Sequence, residues 1–157
     1  MNESKIKFIK TDFIALLKPL APEQRGKWGL MNAQQMVEHV TDFFKISTNR
    51  ISFPLVSPLE QLPKLKEFLW SDKEFRENTK APESIIPAVP LPMHHPTIQI
   101  AIEKLEREID LFFEIFKNNR EKIAAHPVFG ELNFEDWVQL HYKHTQHHAK
   151  QFELLHG

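Results

Sequence analysis

The segment NFEDWVQLHYKHTQHHAKQFELL, residues 133–155, decides how the chain folds, because its apolar residues recur every three or four positions. This period is that of a helix, and Asn133 is well suited to cap its N-terminus, with two acidic residues following in the first turn. At about 100° per residue, the side chains of His141, His144 and His148 fall within about 60° of one another on the apolar stripe. The segment therefore predicts a long helix that directs three imidazoles toward the protein core.

Three further segments carry the same helical period, and the chain has only four glycines. The first helix is expected from about Ser4 to Lys18. The second is expected to begin after the N-cap Asn32, with Gln35 completing a pattern close to a capping box, and to continue to about Thr48. The third helix begins at about Thr97. These segments predict a helical protein.

The connection between the second and third helices is long and rich in proline. Residues 51–96 hold eight of the eleven prolines, and a short helix is predicted within them at LPKLKEFLW, residues 62–70. Four long helices with one long crossover predict an all-α four-helix bundle that forms a single domain over residues 1–157. The apolar side chains of the crossover are expected to be buried, namely Phe53, Leu55, Phe68, Leu69, Trp70, Phe75, Ile85, Ile86 and Val89.

The composition excludes several classes of protein. A formal net charge of -1 provides no field that attracts phosphates, so nucleic acid is not an expected partner. No segment approaches the roughly 20 apolar residues of a membrane span, and the N-terminus lacks the apolar core of a signal peptide. The sequence thus predicts a soluble cytoplasmic protein without a membrane partner. Because the chain has no cysteine, any metal ion must be held by nitrogen and oxygen ligands.

His39 lies in the middle of the apolar face of the second helix by the same angular argument. An inward imidazole needs partners, because a buried unsatisfied one costs about 1–3 kcal/mol. His144 and His148 are four residues apart, a spacing at which two side chains of one helix bind the same ion. Together the three histidines predict one divalent ion with an open coordination position, which is typical of a catalytic site. The alternative is a metal-free core in which these histidines are satisfied by hydrogen bonds.

Two stretches resemble the DinB-like family of metal-binding four-helix bundles: WGLMNAQQMVEHV, residues 28–40, and HPVFGELNFEDWVQLHYKHTQHHAKQF, residues 126–152. That family carries one histidine on its second helix and an HxxxH on its fourth, which fall here on His39, His144 and His148. Its superfamily also contains small-thiol-dependent S-transferases and maleylpyruvate isomerase. The resemblance implies a nickel or zinc ion, a small-molecule substrate, a small-thiol cosubstrate in thiol-dependent members, and a homodimer.

Such a site is compatible with several functions. The resemblance favours a small-thiol S-transferase, in which the ion stabilises a thiolate, over a hydrolase, in which the ion lowers the pKa of a water molecule. A non-catalytic metal-binding or dimerising module is the third alternative. His141 is predicted to act as an acid or base beside the ligands, because its pKa range suits proton transfer near neutral pH. His147, at the edge of the stripe, offers an alternative pair with His144. His94 and His95, on the crossover, are expected to be solvated, with covering of the site as the alternative.

Overall fold

The chain begins with one continuous helical segment that contains a π turn. In the computed structural model, which describes residues 3–77 and 90–155, this segment consists of α1 (Glu3–Lys7), the π turn (Phe8–Asp12) and α2 (Phe13–Leu17). Its extent agrees with the predicted first helix, whereas the π turn was not predicted. The apolar face of the segment is buried in the core, through Phe8, Ile9, Phe13, Ile14 and Leu17.

The second long helix, α3 (Ala33–Ser47), begins at the predicted cap. The side chain of Asn32 accepts the backbone N–H of Gln35 at 2.8 Å, and Gln35 Oε1 accepts the backbone N–H of Asn32 at 2.9 Å. This reciprocal pair satisfies two N–H groups that have no partner inside the helix. It also fixes where the helix starts, and hence which of its side chains face the core.

Two more long helices complete the core, α5 (Ile98–Asn118) and α6 (Phe134–Gln151). Thr97 caps α5 by accepting the N–H of Ile100 at 3.1 Å, and Asn133 caps α6 through a capping box. Both starting points agree with the sequence prediction. Helix α5 packs mainly against α3, and α6 lies against α3 and the first helical segment. The site described below lies where α3 and α6 meet.

A shorter helix, α4 (Leu62–Trp70), lies within the crossover and follows a 3-10 turn at Leu59–Gln61. It agrees with the short helix predicted there. Leu69 is fully buried, but Leu55 and Trp70 are 41% and 46% exposed, so the expectation of burial is wrong for these two. Three further expected side chains are partly buried: Phe53, Phe68 and Phe75. The remaining ones lie outside the described residues: Ile85, Ile86 and Val89.

The segment between α5 and α6 forms a two-stranded antiparallel sheet that the sequence analysis did not predict. Strand β1 (Ala124–His126) pairs with β2 (Gly130–Leu132). Gly130 has a φ of 78°, in the left-handed region that glycine adopts without a Cβ penalty. Within the turn, Nδ1 of His126 accepts two backbone N–H groups, at 3.0 and 3.2 Å. This buried imidazole therefore satisfies the turn that joins the strands.

The prediction of an all-α four-helix bundle is therefore wrong. The described residues contain five helices, with the first helical segment counted once, and a small sheet. Each strand is only three residues long, which is too short for the alternation of buried and exposed side chains to be recognised as a strand period. The sheet is tied to α6 because Trp137 Nε1–H donates to the carbonyl of Ala124 at 3.0 Å. Among the described helices, none combines the length and apolar character needed to span a membrane.

Candidate metal centre

Three imidazoles meet at the contact of α3 and α6. The Nε2 atom of His144 lies 3.0 Å from Nε2 of His39 and 3.0 Å from Nε2 of His148. One ligand atom from each of the three rings lies within 4.8 Å of the others. His144 and His148 are buried and His39 is half-buried. The three residues selected from the sequence are thus brought together in space.

Local structure explains this convergence. The cap at Asn32 sets the phase of α3 so that His39, seven residues later, completes about two turns and lies on the same side of the helix as the cap. On α6, the i, i+4 spacing places His148 one turn beyond His144 on the same face. Phe43, one turn beyond His39, stacks on the ring of His144 with their centroids 4.0 Å apart. One ring from α3 and two from α6 therefore line a single point.

Burial keeps these imidazoles neutral. It lowers the pKa of His39 to about 4, with a smaller contribution from the nearby charge of His147. The pKa values of His144 and His148 are held well below the usual range, first by burial and then by neighbouring histidines. A neutral imidazole carries one N–H and one free lone pair, and the lone pair is what binds a metal ion. At neutral pH each ring can therefore contribute a ligand nitrogen.

The Nε2 atoms of the three histidines make two close contacts, but the available hydrogens can satisfy only one of them. Nδ1 of His148 lies 2.7 Å from Oε1 of Gln151, which can only accept, so Nδ1 carries the proton and Nε2 carries the lone pair. A hydrogen on Nε2 of His144 could serve only one of its two 3.0 Å contacts in good geometry. Nδ1 of His144 is also buried and has no partner among the described residues. A divalent ion bound to the three Nε2 atoms would remove the conflict at their meeting point.

Gln151 is the site residue that the sequence analysis missed. It belongs to α6 and lies about 20° from His144 around the helix, within the inward stripe. Its side chain is 3% exposed. A polar amide among inward-facing residues was a signal that could have identified it.

The other two histidines of α6 lie outside the group of three. His141 is fully buried, its ring stacks on Phe44 at 3.7 Å, and its Nε2 lies 3.0 Å from Oγ of Ser47. Burial holds its pKa well below the usual range. His147 is half-buried, with its ring 5.4 Å from that of Trp28. The predicted role of His141 as an acid or base stays a prediction.

The crossover histidines His94 and His95 lie beside α3 and are hydrogen-bonded to it through their backbone N–H groups. The carboxylate of Glu38 accepts the N–H of His94 at 2.6 Å and that of His95 at 3.0 Å. His94 is exposed and His95 is half-buried. The carboxylate next to His39 in sequence therefore fixes the end of the crossover, and the side-chain roles predicted for His94 and His95 stay open expectations.

A surface cleft of about 500 Å³ lies on another side of α6. It is lined by polar residues of α6, including Lys143 and His147, together with Trp28 and Phe75. None of the three convergent histidines lines it. Lys143 is 8% exposed and donates to the backbone carbonyls of Ser71 and Lys73, so it secures the chain that follows α4.

Fold and site together define a mainly helical protein with a three-histidine centre between two of its helices. Residues 10–154 match the family described as a protein of unknown function (DUF1569), and the chain belongs to that family. No curated protein and no solved structure matches the chain. The family description carries no activity, so the function has to be argued from the site.

Proposed function

We propose that the protein binds one divalent metal ion through the Nε2 atoms of His39, His144 and His148. The observation that carries this proposal is the meeting of three neutral imidazole nitrogens, with separations of 3.0 Å from His144 to each of the others. Tetrahedral metal–nitrogen bonds of about 2.0–2.1 Å hold two ligand nitrogens about 3.3–3.4 Å apart, so the observed separations need to widen by only about 0.3–0.4 Å to admit an ion. The donor set fits zinc or nickel, because imidazole suits both and the chain has no thiolate to offer.

Three protein ligands are fewer than a closed structural site uses, which favours a fourth position for a substrate or water. His39 is half-buried whereas His144 and His148 are buried, so His39 is the most exposed of the three proposed ligands. An ion there would supply Lewis acidity to a thiol or a water. This arrangement supports a catalytic role more than a purely structural one.

Within this proposal, the resemblance to the DinB-like family favours transfer of a small thiol to an electrophilic acceptor. In such a transfer the thiol loses its proton to a base, and its sulfur bonds to the electrophilic carbon. The leaving group departs with the bonding electron pair. Because the chain has no cysteine, the thiol must be a separate small molecule. His141 is the proposed proton carrier through its buried Nδ1, which has no partner among the described residues. Because burial lowers its pKa, the ring is neutral at rest and would hold the proton only during the transfer. A homodimer belongs to the same proposal.

The metal proposal is tested by metal content. Untagged protein would be incubated with zinc or nickel, passed through a desalting column and measured by mass spectrometry, beside the His39→Ala, His144→Ala and His94→Ala variants. His94 is the matched control, because it is an exposed histidine outside the group of three. We expect about one ion per chain in the wild type and in His94→Ala. Both other variants should lose the ion and keep their helical circular dichroism, because apolar side chains carry the helix packing. Unchanged metal content in His144→Ala would refute the assignment.

The proposed reaction requires a second experiment. Metal-loaded protein would be assayed with a panel of small thiols and electrophilic acceptors, and separately with ester and amide substrates. Thiol consumption that depends on His144 would support the transferase, and hydrolysis with the same dependence would support the hydrolase. Activity that survives His144→Ala would be unrelated to this centre.

A further inference from the structure

Both polar atoms of the Gln151 side chain and its backbone carbonyl are hydrogen-bonded. Oε1 of its side chain accepts from Nδ1 of His148 at 2.7 Å, and its Nε2 donates to the carbonyl of Trp28 at 2.9 Å. Its backbone carbonyl accepts the N–H of Lys27 at 2.7 Å. Rotation of the amide that exchanges its oxygen and nitrogen would place the oxygen against the carbonyl of Trp28, so the bond to Trp28 fixes which amide atom faces Nδ1 of His148.

The loop Gly26–Gly29 has the shape needed to hold this amide. A Cβ at Gly26 would lie 2.8 Å from Cγ of Gln151, and a Cβ at Gly29 would lie 2.7 Å from Nε2 of Gln151. Gly29 also has a φ of 81°, which disfavours any other residue there. Both glycines thus leave room for one side chain. The two glycines of the GKWG sequence before α3 are therefore explained by the space that the side chain of Gln151 occupies.

We infer that Gln151 is a positioning residue that fixes the tautomer of His148, so that the Nε2 lone pair points at the other two histidines. The inference rests on the proposed metal function. Of the three histidines, His148 alone has a polar side chain bonded to its Nδ1 among the described residues. A partner on the outer nitrogen of a metal-binding imidazole typically raises metal affinity by roughly 10–100-fold. The loop Gly26–Gly29 contacts Gln151 through the carbonyl of Trp28 and the N–H of Lys27, and Gln151 in turn contacts His148.

The first measurement is the tautomer in the metal-free protein, read from the nitrogen chemical shifts of ¹⁵N-histidine-labelled samples. We expect His148 to carry its proton on Nδ1 in the wild type. Gln151→Met, which keeps the length of the side chain and removes its acceptor, should lose this preference. Gln151→Glu, which keeps an acceptor for Nδ1 of His148 but loses the donor to the carbonyl of Trp28, should preserve it. Gln146→Met is the control, because Gln146 lies on the same helix and bonds Tyr142 instead.

The second measurement is zinc affinity by competition with a chromophoric chelator. Gln151→Met should weaken zinc binding by about 10–100-fold, whereas Gln146→Met should not change it. Unchanged affinity and an unchanged tautomer in Gln151→Met would overturn the inference. Equal loss of affinity in Gln151→Met and Gln151→Glu with the tautomer unaltered would also overturn it, because packing alone would then matter. If the wild type binds no zinc, the metal proposal fails, while the tautomer measurement still decides whether Gln151 orients His148.

Discussion

The ring of Phe43 stacks on the imidazole of His144, with their planes 24° from parallel. Nδ1 of His144 has no partner among the described residues, so this stack and the contacts of Nε2 with His39 and His148 orient the ring. We expect Phe43→Leu to weaken zinc binding about tenfold and to lower the free energy of unfolding by about 1 kcal/mol. Phe113→Leu is the control, because Phe113 is a half-buried phenylalanine of α5. It should show a similar loss of stability without a loss of zinc affinity. Equal zinc affinity in both variants would contradict the role of the stack.

Replacement of His144 by leucine distinguishes the metal-site hypothesis from the alternative of a metal-free core of hydrogen-bonded histidines. In the metal-free protein, His144 has one buried nitrogen without a partner and another whose two contacts one hydrogen cannot serve. We therefore expect His144→Leu to change the free energy of unfolding, measured in chelator with urea, by less than about 1 kcal/mol or to raise it. If these histidines instead form a satisfied hydrogen-bonded core, the same variant should cost about 2–3 kcal/mol.

Adding zinc to the same pair of proteins provides the complementary result. Zinc at 100 times its dissociation constant should stabilise the wild type by about 2.7 kcal/mol and leave His144→Leu unchanged. Equal stabilisation of both proteins would place the ion elsewhere.

The features that were predicted from the sequence depend on residues close together in the chain. Caps such as Asn32 with Gln35 involve side chains three residues apart, and helical periods repeat within one segment. The convergence of His39 with His144 joins distant segments, but each histidine could be assigned to an inward face from its own helix. A buried imidazole requires a polar partner, so inward-facing histidines on two helices of one core were expected to contact each other.

The features that were missed depend on distant contacts or on very short elements. The partnership of Gln151 with the carbonyl of Trp28 joins residues 123 positions apart, and no local pattern encodes it. Strand β1 has three residues, and its Ala124 carbonyl accepts the indole N–H of Trp137, 13 positions away. The sheet follows from the turn chemistry of His126 and Gly130, where an imidazole replaces the asparagine or aspartate that usually marks such turns.

The carboxylate of Asp136 accepts from three donors. We therefore predict that replacing it with asparagine, its amide counterpart, destabilises the protein. Its Oδ1 accepts from Nε1 of Trp70 at 2.8 Å, its Oδ2 accepts the N–H of Asn133 at 3.0 Å, and Nζ of Lys66 lies 3.2 Å from Oδ2. Asp136→Asn would turn an NH₂ group toward at least one of these donors. We expect a loss of about 2–3 kcal/mol in urea unfolding. Glu135→Gln, an exposed acid of the same helical turn, should cost less than about 0.5 kcal/mol. Equal effects would show that only the charge near the helix N-terminus matters.

His126 predicts how stability depends on pH. Burial lowers its pKa to about 3, while the unfolded chain has the ordinary value of 6.5. Above pH 6.5 the ring is neutral in both states and contributes no pH dependence. Below pH 6.5 the unfolded state takes up a proton that the folded state refuses, so stability falls as the pH falls toward 3. The slope from this residue is about 1.4 kcal/mol per pH unit.

His126→Asn isolates that contribution. Asparagine can accept the N–H of Val128 in the turn and does not titrate, so the hairpin keeps an acceptor. Both proteins would be unfolded in urea with chelator between pH 7 and 4. The other buried histidines, whose pKa values are also lowered, contribute to both curves. His126 helps to lower the pKa of His141, but burial is the larger cause and is kept in the variant. We expect the variant to be less stable at pH 7, because it loses the packing of the imidazole against Trp137 and Phe129. Its stability should then fall less steeply than that of the wild type, by about 1.4 kcal/mol per pH unit. Parallel curves would mean that His126 is protonated in the folded protein, which its two backbone N–H donors at Nδ1 disfavour.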